Sequence, residues 1–260
     1  MSTPSDVGQT ESADSSSDHD APDDGAEKTG LPARFVEPEV PPPLPRYSSV
    51  PREVNEALRG IVNRYELRTG AALPHSIAVT SALAGEGVTT ISQSLATLIA
   101  HELGRLTCWV DFSWLAGGDD NSADPDRPSL ADLLANGSSI ANAFQAQPGL
   151  PELIVLQPGP VPERERTAIL RSPEFGRLLS LLIDEFDHIV FDTPPVLSHN
   201  NALTLLRLAD TSLFVVKHRS TSITQLRRAV ESTQPTPTLG AVLNGYQSKI
   251  PTRLQLLLGG

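Results

Sequence analysis

The stretch that most limits how this chain can fold runs from Ser76 to Leu103. Residues 76–80 read Ser-Ile-Ala-Val-Thr, short, apolar and β-branched, the composition of a buried strand. A glycine-bearing turn follows, Ser81-Ala-Leu-Ala-Gly-Glu-Gly-Val-Thr-Thr90, and residues 89–103 read as a helix. Strand, glycine turn and helix N-terminus in direct succession make an anion site. Consecutive backbone N–H groups and the positive end of the helix dipole converge on one point. Gly87 and Thr89 fit the phosphate-loop pattern G-x-x-x-x-G-K-[ST], in which the lysine reaches the outer phosphates and the hydroxyl holds Mg²⁺. Val88 stands in the lysine's place and Ala82 in that of the first glycine. The cradle is kept while its charge is lost.

The rest of the chain repeats the same alternation. Helical spacing of Val54, Leu58, Ile61, Val62 and Tyr65 predicts a helix over 52–69. Strands are expected at 76–79, 107–112, 152–156, 188–192, 212–216 and 238–243. Helices are expected at 89–103, 130–136, 139–145, 173–186, 202–208 and 223–232. Near-continuous apolar strands separated by amphipathic helices predict an α/β fold, a mostly parallel sheet with helices on both faces. Ligands of such sheets bind outside the carboxyl ends of the strands. Two aspartates fall there. Asp111 closes Thr107-Cys-Trp-Val-Asp111, where a carboxylate orients a nucleophile or supports Mg²⁺ through water. Asp192 closes His188-Ile-Val-Phe-Asp192, three apolar residues and an acid, the Walker B pattern of metal support. Either aspartate alone reads as a polar strand end. The pair with the glycine loop reads as a nucleotide site.

Composition narrows the setting. The single cysteine, Cys108, lies inside an expected strand, so disulfides play no part and a reducing cytosol fits. No N-terminal apolar region suggests a signal peptide, and no run approaches 18 apolar residues, so no membrane span is expected. The net charge of −11 argues against bare nucleic-acid binding. Residues 1–50 carry ten acids against Lys28, Arg34 and Arg46, so about seven of those charges sit there. Rich in Ser, Asp and Pro, this segment is expected to be disordered, ending in a stiff polyproline-like spacer from Pro38 to Pro45. It reads as a solvating tail, or alternatively as a docking arm. The kinase-like domain is expected over 51–250 and a short tail over 251–260.

From about Pro51 to Gly245 the chain resembles the cytoplasmic bacterial tyrosine kinases of polysaccharide biosynthesis, the CpsD/CapB family. Glu56-Ala-Leu-Arg59 resembles the family's E-A-Y-R-x-L-R helix, and Ser81 to Thr90 its S-x-x-P-G-E-G-K-S-T loop. Cys108 to Phe112 resembles the strand before D-x-D-x-R. Ser129 to Gly137 resembles G-L-S-D-x-L-x-G, and Leu153 to Gly159 the strand ending in a glycine. Phe186-Asp-His-Ile-Val-Phe-Asp-Thr-Pro-Pro-Val-Leu197 resembles F-D-x-V-I-I-D-T-P-P-V-L, the most specific match, and Leu239 to Gly245 resembles G-x-V-L-N-G. The resemblance implies a MinD/ParA-like P-loop ATPase fold and an integral-membrane chain-length regulator as partner. It also implies a homo-oligomer and a cytoplasmic place at the inner membrane. ATP and Mg²⁺ are the implied ligands, with Gly85, Glu86, Gly87, Val88, Thr89 and Thr90 as the nucleotide loop. Thr89, Asp111 and Asp192 are then the metal-side residues, and Asp111 and Asp192 the catalytic ones.

The departures point the other way. The lysines are Lys28, Lys217 and Lys249, none in the loop, so the local sequence offers no substitute for the one Val88 replaces. An arginine, Arg105 or Arg171, is the remaining candidate for reaching in, and the sequence alone places neither. Ser113 replaces the second aspartate of D-x-D, and the arginine after it is missing. Asn201 stands where the family often has aspartate. Val62 replaces the second arginine of the helix motif, which bears on ring formation. The tyrosines are Tyr47, Tyr65 and Tyr246, with no C-terminal cluster, and the chain ends in a leucine run. The amides of residues 85–88 still face a phosphate whatever their side chains. The reading is therefore a catalytically impaired kinase relative, a regulatory or scaffold subunit binding nucleotide weakly. The alternatives are a working tyrosine kinase and a ParA/MinD-like positioning ATPase.

Overall fold

A computed structural model describes residues 50–116, 144–156 and 163–246. The expectations over residues 1–49, at 130–136 and 139–143 and beyond residue 246 lie outside the described residues. So do Tyr47, Lys28, Lys249, Gly159 and the motif at 129–137.

The first helix, α1 (Arg52–Thr69), turns Leu58, Ile61 and Val62 inward at helical spacing and stops at Gly70, whose φ of +66° is the left-handed cap that glycine adopts without strain. Then come β1 (Ser76–Ser81), α2 (Val88–Leu103), β2 (Thr107–Asp111) and a short 3₁₀ turn at Ser113–Ala116. Next are β3 (Phe144–Gln147), β4 (Leu150–Leu156), α3 (Glu163–Leu170) and α4 (Pro173–Glu185). The described chain closes with β5 (His188–Asp192), α5 (Asn200–Leu206), β6 (Thr211–Lys217), α6 (Ile223–Ser232) and β7 (Thr238–Asn244). The seven strands form one sheet in the order β3-β4-β2-β5-β1-β6-β7. All neighbours are parallel except the β3–β4 pair.

The two sheet faces carry separate cores, as the alternation of strand side chains requires. Ile77, Val79, Trp109, Val190, Leu213 and Val215 pack under α1 and α2 with Leu58, Ile91, Leu95 and Ile99. Ala78, Val110, Ile189, Phe191 and Phe214 face the other side, with Phe112, Trp114, Phe175, Leu178 and Leu182. The fold expected from sequence, a mostly parallel sheet with helices on both faces, is the fold present. The helices at 52–69 and 223–232 and the strand at 188–192 have the expected bounds, and the other matched elements shift by two residues or fewer at each end.

One expectation fails. Phe144 and Gln145, taken for the end of a helix over 139–145, lie in β3, antiparallel to β4. The Pro148-Gly149 turn between β3 and β4 reverses the chain, with Gly149 at φ +78°. Phe144 is buried with its ring 5.7 Å from that of Phe186. A tight turn and a tertiary aromatic contact override the local helical preference. The helix α3 was not foreseen, its sequence being polar and weakly periodic.

Candidate functional site

The interior strand β1, between β5 and β6, ends at Ser81, the turn runs over residues 82–87, and α2 opens at Val88. Its root is clamped from the β5 side. Beyond Asp192 the Thr-Pro-Pro-Val-Leu run continues alongside β1. The Thr193 amide and hydroxyl both donate to the Val79 carbonyl, at 3.0 and 2.8 Å. The Thr80 hydroxyl donates to the Pro194 carbonyl at 2.9 Å, and the Val196 amide to the Ser81 carbonyl at 2.8 Å. The two prolines have no N–H to leave unpaired, so the run ends the sheet without a buried orphan donor.

The far side of the loop is latched by Glu86, whose side chain is 1% exposed. Its carboxylate accepts from the Leu83 amide at 2.9 Å, from the Lys217 amide at 3.0 Å and from the Thr221 hydroxyl. The Glu86 carbonyl in turn accepts from Asn244 Nδ2 at 2.8 Å. One residue therefore ties the loop to the carboxyl ends of β6 and β7 and to the turn before α6. Gly87 follows at φ +94°, and a Cβ there would land on Asn244 Nδ2, so the close approach requires glycine. Of the loop residues expected to meet a phosphate, Glu86 can do so only through its amide, because its side chain is consumed by the latch.

Val88 is half-buried and packs against the α1/α2 core, so the side chain in the lysine's position serves packing. Thr89 and Thr90 are exposed on the first turn of α2. Gly85, Gly87, Val88, Thr89 and Thr90 thus form one continuous rim from turn to helix. Outside this rim, a groove of about 480 Å³ lies between α1 and β7, lined by Arg64, Tyr65, Arg68 and Leu239 among others.

The structure brings the two aspartates together. Asp111 and Asp192 are paired residues of neighbouring parallel strands, both at the carboxyl ends. Asp192 is 1% exposed, and its Oδ2 has no hydrogen-bond partner among the described residues. Burial holds the Asp192 carboxyl well above the usual carboxylate range, and repulsion from Asp111 raises it further. The neighbouring hydroxyls of Thr89 and Ser92 favour the charged form and so oppose both. Ser92 is itself fixed by the Trp109 indole N–H at 2.9 Å. Asp111 Oδ1 accepts from the Ser113 amide at 2.7 Å, so the residue that replaces the second aspartate contributes its backbone.

These residues fit a divalent cation. A buried, orphaned carboxylate oxygen beside a second acid and a threonine hydroxyl is relieved by positive charge on both counts. No cluster of three His, Cys, Asp or Glu side chains that could hold a metal exists among the described residues. A cation held here would therefore take its remaining ligands from water and phosphate oxygens, as Mg²⁺ does.

No lysine lies in the local sequence of the loop, as expected, but one distant in sequence comes near it. Lys217, the last residue of β6, places its Nζ 3.2 Å from the Gly85 carbonyl. Sequence reasoning missed it because the contact spans 132 positions. The signal available was the parallel pairing of β6 beside β1, which carries the last residue of β6 past the end of β1 to the loop. Arg105 lies at the opposite end of the sheet, just before β2 begins, and cannot serve. Arg171 is exposed between α3 and α4. In the helix motif, Val62 is buried in the α1 core, while Arg59 forms a forked pair with Glu102 of α2 at 2.5 to 3.0 Å. Asn201 is half-buried in the first turn of α5, and Tyr246 is 60% exposed with its ring edge-on to His218.

No protein-family model matches the chain. Tyrosine-protein kinase YwqD of Bacillus subtilis is 29% identical over 210 residues, which is 75% of this chain and 83% of that one. The solved chimerical protein CapA2B2 superposes with a TM-score of 0.62 at 25% identity, over 74% of this chain and 85% of that one. MinD of Pyrococcus horikoshii, solved with Mg-ADP, shares the fold with a TM-score of 0.51 at 23% identity, over 71% and 77% of the two chains. With its seven-stranded sheet, glycine loop and paired strand-end aspartates, the chain is similar to the CpsD/CapB-type bacterial tyrosine kinases and has the MinD-like P-loop fold.

Proposed function

We propose that this protein is a nucleotide-binding but catalytically impaired relative of the tyrosine kinases. In this reading it is a regulatory or scaffold subunit of capsular or exopolysaccharide assembly, held at the inner membrane by an integral-membrane chain-length regulator. The observation that carries the reading is Val88. An otherwise retained site (latched loop, Thr89, Asp111, Asp192) has an apolar side chain packed where the phosphate-binding lysine belongs. Bound Mg²⁺ would neutralise phosphate charge. The amides of residues 85–88 would bind the phosphates, Thr89 and Asp192 would hold the cation, and Asp111 would orient a water or hydroxyl beside it. The membrane place rests on the family likeness alone. No helix among the described residues is long and apolar enough to cross a bilayer.

The test is phosphoryl transfer from labelled Mg-ATP, followed as phosphotyrosine and as released ADP, for the native chain and for Val88→Lys. Loss of one charge-stabilising group lowers the rate by about 10²–10³. The native chain is expected to be slower than the variant by that factor. Native turnover equal to the variant's would contradict impairment. It would favour the second reading, a working tyrosine kinase, which the preserved Asp111–Asp192 pair and the exposed Tyr246 support.

A further inference from the structure

We propose that Lys217 is the surrogate cation of this phosphate loop, standing at the strand neighbouring the loop in place of the lysine that Val88 replaces. The proposal rests on the nucleotide-binding reading above and assigns to it a residue that the loop pattern does not contain.

The argument begins with strand parity. Leu213 and Val215 of β6 face α2, buried in the same core as Ile91 and Leu95. Lys217 is two residues further on, so it continues the row on that face, beyond the last residue of β1, Ser81, which pairs with Val215. The overhang brings it over the loop as the chain crosses from β1 to α2. Both ends of the residue then meet the loop. Its amide donates to the Glu86 carboxylate at 3.0 Å, and its Nζ donates to the Gly85 carbonyl at 3.2 Å. The first bond fixes the lysine's root through the backbone, whatever the side chain. The second places the ammonium at the peptide that joins Gly85 to Glu86, where the cradle amides begin.

The charge is also available. Lys217 is exposed, and no carboxylate lies within ion-pair distance of its ammonium among the described residues. A solvated bond to a neutral carbonyl is readily exchanged for one to a phosphate oxygen, where both partners are charged. Lysine suits that exchange, being a point charge on a flexible four-carbon stem. Lys217 reaches the loop from outside it and would offset the lost charge only in part, so weak binding is kept while the site stays impaired by Val88.

The test is calorimetric titration of Mg-ATP into the full chain and three variants, Lys217→Gln, Lys217→Arg and Lys217→Gln with Val88→Lys. The proposal expects Lys217→Gln to weaken binding at least about tenfold, as loss of a hydrogen bond between charged groups does. It expects Lys217→Arg to stay within a fewfold of native, and the double variant to bind at least as well as native. Native binding with an unchanged Lys217→Gln would overturn the role of Lys217 and leave the nucleotide site standing. Loss in Lys217→Gln that Val88→Lys fails to restore would mean a structural post rather than a charge, and would also overturn it. No binding by the native chain at millimolar Mg-ATP would overturn the nucleotide reading and the role of Lys217 together.

Discussion

Two carboxylates stand at the same end of the sheet, each 1% exposed, and they are treated oppositely. Glu86 is satisfied from three sides, by the Leu83 and Lys217 amides and the Thr221 hydroxyl. Asp192 keeps an oxygen with no partner among the described residues and faces a second acid. A buried charge that is fully hydrogen-bonded builds structure. One that is left short costs stability and is kept where something else completes it. The contrast separates the frame of this site from its working face, and it can be broken or sharpened by substitution.

The largest effect is expected at the frame. Glu86→Ala strands two backbone donors and a hydroxyl, and at roughly 1–3 kcal/mol for each group left unsatisfied a loss of about 3 kcal/mol is expected. Urea denaturation measures it, and a loss under about 1 kcal/mol would mean the latch is ornamental. Gly87→Ala comes next, at about 2 kcal/mol, from positive φ and the collision with Asn244 Nδ2. Adding Asn244→Ala should return part of that loss if the collision is real, and none if strain at φ +94° is the whole cause.

Asp192→Asn should behave in the other direction. It removes a buried charge and its repulsion from Asp111, so stability at pH 8 is expected to be unchanged or raised by up to about 1 kcal/mol. The native chain carries a matching pH signature. The Asp192 carboxyl is raised on folding, so its contribution is full below the ordinary carboxylate range and is lost as pH rises through the raised value. The difference in stability between native and variant should therefore slope downward with pH across that window. A difference that does not vary with pH would mean that Asp192 is not held up by burial. The smallest effect belongs to Arg59→Ala. The Arg59–Glu102 pair is partly solvated, and its loss should cost under about 1 kcal/mol in thermal or urea unfolding.

The frame was more legible in the sequence than the face. The buried strands are apolar runs, and Gly87 with Thr89 marks the loop without reference to anything distant. Asp111 and Asp192 could be placed at strand ends by pattern, and the parallel pairing then sets them side by side. Glu86 looked like a ligand-facing residue because its side chain's partners at Lys217 and Thr221 lie more than 130 positions away. Lys217 was hidden for the same reason. Phe144 was misread because its burial against Phe186 and the turn at Pro148-Gly149 decide its conformation, and local preference does not. Contacts within an element can be read from the chain, whereas those that cross the sheet need its strand order.

The central claim is an intact cradle whose built-in charge has been replaced by packing. Mg-ATP titration by calorimetry into the native chain and into Val88→Lys tests it most directly. The account predicts weak binding by the native chain, and a gain of about tenfold or more in the variant from one charged contact to phosphate. Equal affinity in the two, or no binding by either at millimolar nucleotide, would contradict it.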